Sequence, residues 1–477
     1  MATGAWTLHP DRALPAEPGQ RAIARELYRA IADLPLVSMH GHIDVEAIRD
    51  NRSFGDPAEL FVIPDHYLVR MLVSQGYTHS ELGVASLDSA AGPAEQDHRL
   101  IWRRLCENWR LFRGTPTRYW LEHELVEVFG VTQMPSAETA DDIYDHLIDT
   151  LGKPESRIRE LFDRFNIEIL STTDSPDADL SAHADLAAEG WGERVVPTFR
   201  PDAMFYPDRP AWTVTIRSLS ARSGIQISDY ASYLDALRQR RSAFAAAGAL
   251  ASDHGHLRAD TAPLEAADAQ RIFDAALRGP VDTATATAFA ANMLFETARM
   301  SLDDGLVMQL HPGVQRDYSG QILSQFGTDT GFDIPIQVEF TRSLRPLLQA
   351  FGHDPRFRMV LFTVDETVYS RELAPLAGAY PSVRLGAPWW FLDSPGGMTR
   401  FRELTTDTTG FYNTSGFVDD TRAFASIPAR HDLARRIDAG FLARLVAEHQ
   451  LGFDEAMETA VDLTYNLPLK AYERPAA

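Results

Sequence analysis

Short β-branched apolar runs alternate along this chain with longer stretches of helical periodicity, and that alternation restricts the fold more than any other feature. Runs at 36–39, 167–171, 195–199, 248–252, 306–310, 359–363, 383–385 and 415–418 read as eight strands, with 248–252 the weakest of them. Helical spacing fills the intervals, as at 22–32, 270–277 and 441–449. Strands separated by helices pair in parallel through crossover connections, and eight such units predict an α/β chain closed into a (β/α)8 barrel. The 477 residues exceed the roughly 250 typical of that architecture. Much of the excess falls between the first two strands, where helix-like runs occur at 68–75, 98–112 and 140–151. The expectation is one elaborated barrel over 1–477 with a helical insertion at 44–165; a second irregular stretch spans 201–250.

Charge narrows the function. With 67 acidic against 45 basic residues the formal net charge is −22, which argues against a nucleic-acid surface, since phosphate binding needs clustered cations. A small anion remains admissible, because a pocket can be basic inside an acidic shell. No apolar run approaches the roughly 20 residues that span a bilayer, and Met1 to Pro10 lacks the basic and apolar blocks of a secretory signal. A single cysteine, Cys106, permits neither an intramolecular disulfide nor a cysteine zinc cluster. The reading is a cytoplasmic protein without membrane or nucleic-acid partners.

Polar residues gather where the strands end. His40-Gly41-His42 follows the first strand. Two residues apart on extended chain, both imidazoles point to one side, toward the mouth where the loops of a barrel build its site. Imidazole pairs are ready ligands for a divalent cation such as zinc or manganese. Asp419-Asp420-Thr421-Arg422 follows the eighth strand, which in a closed barrel lies beside the first, so Asp420 can complete the set. Locally, an aspartate there reads equally as a helix N-cap. Thr172-Thr173-Asp174, Arg200-Pro201-Asp202, Asp253-His254 and His311 sit at other strand ends. Each alone is ordinary turn chemistry; their shared pole is not. Arg200 suits a carboxylate anchor, because a guanidinium fork matches carboxylate geometry. Trp389 and Trp390 read as packing.

A barrel with HxH after its first strand and aspartate after its eighth resembles the amidohydrolase superfamily, and the local strings resemble the uronate isomerase (glucuronate isomerase) family. They run through His40-Gly41-His42, Asp65-His66-Tyr67 with Arg70, Thr172-Thr173-Asp174, Pro197 to Asp202, Ser252 to Gly255, Gln309-Leu310-His311, Trp389-Trp390-Phe391, Asp420 to Phe424 and Arg430-His431. The resemblance implies exchange of aldose and ketose forms of a hexuronate, D-glucuronate with D-fructuronate or D-galacturonate with D-tagaturonate. The proton moves between C2 and C1. It implies one divalent ion, zinc or manganese, held by His40, His42 and Asp420. Asp420, Arg422 and Tyr67 are the implied catalytic residues, and Arg200, His66, His254, His311 and Arg316 the substrate-binding ones. A small acid sugar is the expected partner, and a homo-oligomer the expected assembly.

The strings also depart from the family. The segment after the fifth-strand histidine reads Pro312 to Tyr318, and the sixth-strand end reads Val364-Asp365-Glu366 where Asn-Pro-Arg-Asp-Asn is usual. Ala47, beside Glu46, stands where some members carry an acid–base histidine. Two rivals compete. A mononuclear metal-dependent hydrolase or deaminase would share the ligands but would not need inward arginines; a lysine-bridged two-metal site has no lysine at a strand end, since Lys153 and Lys470 lie elsewhere. A catalytically dead scaffold would have no reason to keep three ligands together.

Overall fold

The computed structural model describes residues 5–88 and 92–474; the first four residues of the Met1 to Pro10 stretch lie outside them. Among the described residues nine strands occur: β1 (Leu36–Ser38), β2 (Ile167–Ser171), β3 (Val195–Val196), β4 (Ala251–His254), β5 (Val307–Leu310), β6 (Val314–Gln315), β7 (Ile334–Pro335), β8 (Met359–Leu361) and β9 (Val383–Leu385). They pair as a parallel sheet β1-β2-β3, a parallel sheet β4-β5-β8-β9 and a two-stranded antiparallel pair β6-β7. Single parallel bridges extend the pattern. Phe199 bridges both Asp174 and Ser252, connecting the two sheets, and Leu385 bridges Thr414 at the far edge. Beyond that edge, Asp420 N–H donates to the His40 carbonyl at 3.2 Å and His42 N–H to the Thr421 carbonyl at 2.9 Å. The last parallel segment thus meets the first.

Side-chain alternation sorts the sheet residues into two layers. Val37, Ala251, Val307, Val360, Phe362, Trp389 and Val418 pack with one another in an inner cluster. Met308, Leu310, Met359, Leu361, Val383 and Leu385 point the other way and pack with Leu294, Ala298, Leu347 and Leu373 from surrounding helices. Sheets buried on both faces need such continuous apolar runs. The register sets Ala251 beside Val307, Ser252 beside Met308, Asp253 beside Gln309 and His254 beside Leu310. Asp253 and Gln309 therefore share the inner side with Ala251 and Val307.

Several boundaries differ from the sequence expectation. The strand expected at 195–199 is regular only over Val195–Val196, because Pro197 offers no N–H to the ladder. The strand expected at 248–252 forms at Ala251–His254, since Ala249 N–H still bonds back to Phe244 of the preceding helix. No ladder forms over 415–418. There Gly416 adopts φ +73°, and a Cβ would lie 2.2 Å from Pro468 Cγ, so the chain bends and only Glycine fits. The β6-β7 pair is absent from the alternation pattern because each of its strands has two residues.

Between β1 and β2 the chain is helical, with His66–Val73, His98–Glu107, Pro116–His123, Ala140–Leu151 and Ile158–Arg164 among its elements. Asp65 caps the first of these, accepting from the N–H groups of Tyr67 and Leu68. That cap fixes His66 and Tyr67 on the opening turn. The expected helices at 22–32 and 270–277 lie within Pro18–Ile31, extended by its Ala32 cap, and Ala266–Arg278. The one at 441–449 is the end of Ile427–Ala447. No helix among the described residues is long and apolar enough to cross a membrane.

Helix Ile427–Ala447 is anchored through Asp432, which accepts from Arg12 at 2.8 Å, Arg436 at 2.9 Å, Tyr28 at 2.5 Å and Tyr119 at 3.0 Å. Burial opposes the charge, but Arg436 and Arg12 prevail and lower the carboxyl to about 2. Asp432→Ala leaves the buried Arg436 and the partly buried Arg12 without their carboxylate, and should cost about 3–5 kcal/mol in denaturant unfolding with the m-value unchanged. Because the folded value is depressed, this contribution is complete above the unfolded value near 4 and fades as pH falls through about 2. A variant as stable as wild type at pH 7 would contradict the anchoring role.

Candidate active site

The junction of first and last parallel segments carries His40, His42 and Asp420. His40 is buried. Gln309 donates its amide N–H to the Met39 carbonyl at 3.2 Å, so its Oε1 is the atom that accepts from His40 Nδ1–H at 3.0 Å. This assigns the Nδ1 proton and leaves Nε2, which faces Asp420 Oδ1 at 3.3 Å, as the nitrogen available to ligate. His42 Nε2 lies 3.1 Å from the same oxygen. Asp420 adopts φ +45°, a left-handed conformation that aspartate tolerates better than most residues. Its neighbour Asp419 is held by His431 Nε2 at 3.1 Å on the side chain and by Arg430 at 3.2 Å on the carbonyl. Burial pushes the Asp420 carboxyl up, yet the two imidazoles hold it far below the usual carboxylate range.

Donors around a tetrahedral ion at about 2.0–2.1 Å sit roughly 3.3–3.4 Å apart. The three ligand atoms lie within 4.8 Å of one another, with the imidazole–carboxylate separations at 3.1 and 3.3 Å. The His2Asp set fits a divalent metal.

Beside it, the inner alternation delivers Asp253, which is fully buried. It lies 3.0 Å from His311 Nε2, 3.4 Å from Arg200 Nε and 3.5 Å from His40 Nδ1. Burial would raise this carboxyl, but His311, then His40 and Arg200, hold it well below its ordinary value. Arg200 Nε also faces Asp202 Oδ2 at 3.2 Å, and Gly255 N–H donates to that oxygen at 2.8 Å. A Cβ at Gly255 would lie 2.7 Å from both Arg200 Nη2 and His311 Cε1; its missing side chain lets these groups converge.

His40, His42, Arg200, Asp202, His311 and Asp420 border one cavity of about 1080 Å³, which His66, Tyr67, Arg316 and Arg422 also line. Burial, reinforced by Arg422, lowers His66 to about 3, and burial raises the Tyr67 phenol well above 10. At neutral pH both are uncharged. Arg422 faces Asp329 at 3.5 Å, while Arg316 faces Asp333 at 3.4 Å and lies over the Trp390 ring at 5.1 Å. Trp389 packs as expected, stacked on Phe362 with its edge toward His40 and His311. Trp390 packs as well, and both indoles line the cavity.

One expected binding residue is elsewhere. His254 follows Asp253 by one position, so alternation turns it to the outer layer, where it meets Ser252 Oγ at 3.2 Å and stacks on Phe205. It does not line the cavity. The sequence reading noted Asp253 at a strand end and Gln309 in the string before His311 but gave neither a site role; a two-residue period counted back from His311 would have given Gln309 one. Ala47 lines the cavity without a titratable group. Asp365 caps a short helical turn, Glu366 pairs with Arg400 at 2.8 Å, and neither lines the cavity.

Residues 19–472 match the family model described as glucuronate isomerase. A uronate isomerase of Rhizobium meliloti (strain 1021) is 52% identical over 465 residues, covering 98% of this chain and 99% of that protein. The crystal structure of glucuronate isomerase from Caulobacter crescentus superposes with a TM-score of 0.95 at 49% identity, covering 98% of each chain. That of uronate isomerase from Thermotoga maritima gives 0.90 at 27% identity, covering 98% of this chain and all of that one.

Since Gln309 orients the His40 ring, Gln309→Leu should weaken zinc binding about 10–100-fold, measured by calorimetric titration of chelator-stripped protein. Unchanged affinity would show that the imidazole is oriented by something else.

Proposed function

The chain belongs to the glucuronate isomerase family, and from that premise we propose that its cavity exchanges aldose and ketose forms of a hexuronate by moving one proton between C2 and C1. The enzyme is an aldose–ketose isomerase. We further propose that the two parallel sheets and the segment after Thr414 form one (β/α)8 barrel of amidohydrolase type over 1–477, with 44–165 inserted after its first strand. The bridges at Phe199 and Leu385 and the backbone bonds from 420–421 to 40–42 support that reading.

His40, His42 and Asp420 would hold the divalent ion, for which zinc and manganese both suit two imidazoles and a carboxylate. When bound, such an ion polarises the sugar's carbonyl and hydroxyl oxygens and makes the C2 proton more acidic. Asp420 divides its labour between its oxygens. Oδ1 faces both imidazoles, whereas Oδ2 remains to take the proton from C2 and return it at C1. Tyr67, kept protonated by burial, donates a hydrogen bond to a sugar oxygen, with neutral His66 stacked on its ring at 4.5 Å. Arg422 stabilises the charge that develops on the enediolate, leaving Asp329 as it does so. The Nε of Arg200 is occupied by Asp202 and Asp253, and its Nη end takes the substrate carboxylate in a bidentate pair. His311, oriented by Asp253, contacts the sugar hydroxyls, and Arg316 closes the cavity over Trp390.

The observation that carries this reading is a single carboxylate oxygen shared by two imidazoles at the edge of a cavity that also holds Arg200, Arg316 and Arg422. An anionic sugar explains those arginines; the neutral amide of a hydrolase or deaminase does not.

Incubating the metal-loaded protein with D-glucuronate or D-galacturonate in D2O and following the products by NMR should reveal the ketose, with solvent deuterium at its C1. Arg422→Gln should lower kcat by about 10²–10³ with little change in melting temperature. Hydrolysis of amides or esters without any ketose from either sugar would overturn the assignment.

A further inference from the structure

We propose that Asp202, His254 and His256 form a second divalent-cation site, separate from His40, His42 and Asp420 and sharing no residue with them. Each of the three offers a ligand atom, and these atoms lie within 4.8 Å of one another. His254 and His256 are almost wholly buried, at 0% and 3% exposure. What distinguishes the cluster is the state of its polar atoms. Asp202 Oδ1, His254 Nδ1 and His256 Nε2 are all buried with no hydrogen-bond partner in the structure. Buried polar atoms are nearly always satisfied, and here each of the three clustered residues carries an unsatisfied one.

The surrounding contacts direct those atoms. Asp202 Oδ2 is occupied by Gly255 N–H at 2.8 Å and Arg200 Nε at 3.2 Å, which leaves Oδ1 for another partner. His254 meets Ser252 Oγ through Nε2 at 3.2 Å, and in the tautomer that donates this proton Nδ1 presents a lone pair. His256 Nε2 stands 3.7 Å from Asp202 Oδ1, too far for a hydrogen bond but close to the spacing of two ligands on one ion. Burial lowers His254 to about 3 and His256 to about 4, so both imidazoles are neutral, the form that ligates.

Ring faces enclose the cluster. Phe205 lies parallel to His254 at 6.1 Å, and Tyr206 leans on His256 at 5.3 Å. Asp202, Gly255 and His256 border the main cavity, which gives an ion an entry path and an open coordination position. Two imidazoles and one carboxylate select a first-row divalent ion such as zinc over magnesium. Its mechanical effect is to tie the loop after β3 to the end of β4 and to fix Asp202, one of the two carboxylates that position Arg200.

The test counts and locates the ion. Chelator-stripped protein is loaded with zinc, desalted and measured by mass spectrometry, and crystals of it are examined by anomalous diffraction at the zinc edge. Wild type should retain two equivalents per chain, falling to one in His256→Gln and to one in His42→Ala, with an anomalous peak among Asp202, His254 and His256. Asp202→Asn, nearly isosteric, should lose the same equivalent as His256→Gln. A single equivalent lost only in His42→Ala, or wild-type crystals without a peak among these three residues, would overturn the proposal. The peak position in wild type decides the matter even if a variant fails to fold.

Discussion

Two backbone hydrogen bonds hold the rest of the site in place: Asp420 N–H to the His40 carbonyl, and His42 N–H to the Thr421 carbonyl. They join segments some 380 residues apart in sequence at the point where His40, His42 and Asp420 converge. Without them, His40 and His42 would be a half-site and Asp420 a turn residue. The left-handed backbone of Asp420 is tolerated because its surroundings fix it, with Asp419 held by His431 and Arg430 on one side and the His40 carbonyl on the other. Strain of this kind persists only where neighbouring contacts over-determine the position.

Charge is managed on the same principle of mutual constraint. An isolated buried ion is costly, so each buried charge near the cavity carries a partner. Asp253 faces His311, His40 and Arg200; Arg430 pairs with Asp393 at 2.8 Å and stacks on Trp120 at 3.6 Å. Where partners are too few for the burial, the group shifts toward neutrality. Asp393 is raised to about 7 by burial, only partly countered by Arg430. Toward the mouth, Arg422 and Arg316 share the acidic residues Asp329 and Asp333 of the segment between β6 and its return. These contacts, at 3.4 to 3.7 Å, involve side chains more exposed than Asp253, Asp393 and Arg430.

Much of this was legible in the sequence, because a sheet buried on both faces writes itself as apolar runs and the ends of those runs carry the polar residues. Strands β2 and β9 fall where the runs fall, and His40, His42, Asp420, Tyr67 and the arginines lie on one cavity. The errors have a common origin. A strand's side-chain alternation is read from its first residue, so displacing β4 toward its C-terminus hid Asp253 inside the layer and sent His254 to the outside. Pro197 and Gly416 break pairing by properties of one residue that a hydrophobic pattern averages away. Pairs as short as β6-β7 leave no periodicity to detect.

The sequence by itself determined the α/β alternation, the polar pole and the identity of the groups gathered there, since hydrophobic period and residue chemistry are local properties. Only the tertiary structure decided which atoms meet: that Gln309 selects the His40 tautomer, that one oxygen of Asp420 faces two imidazoles, and that Asp253 and not His254 joins them. Those outcomes depend on strand register and on chain segments hundreds of residues apart, where a shift of one position reverses the face to which a side chain points.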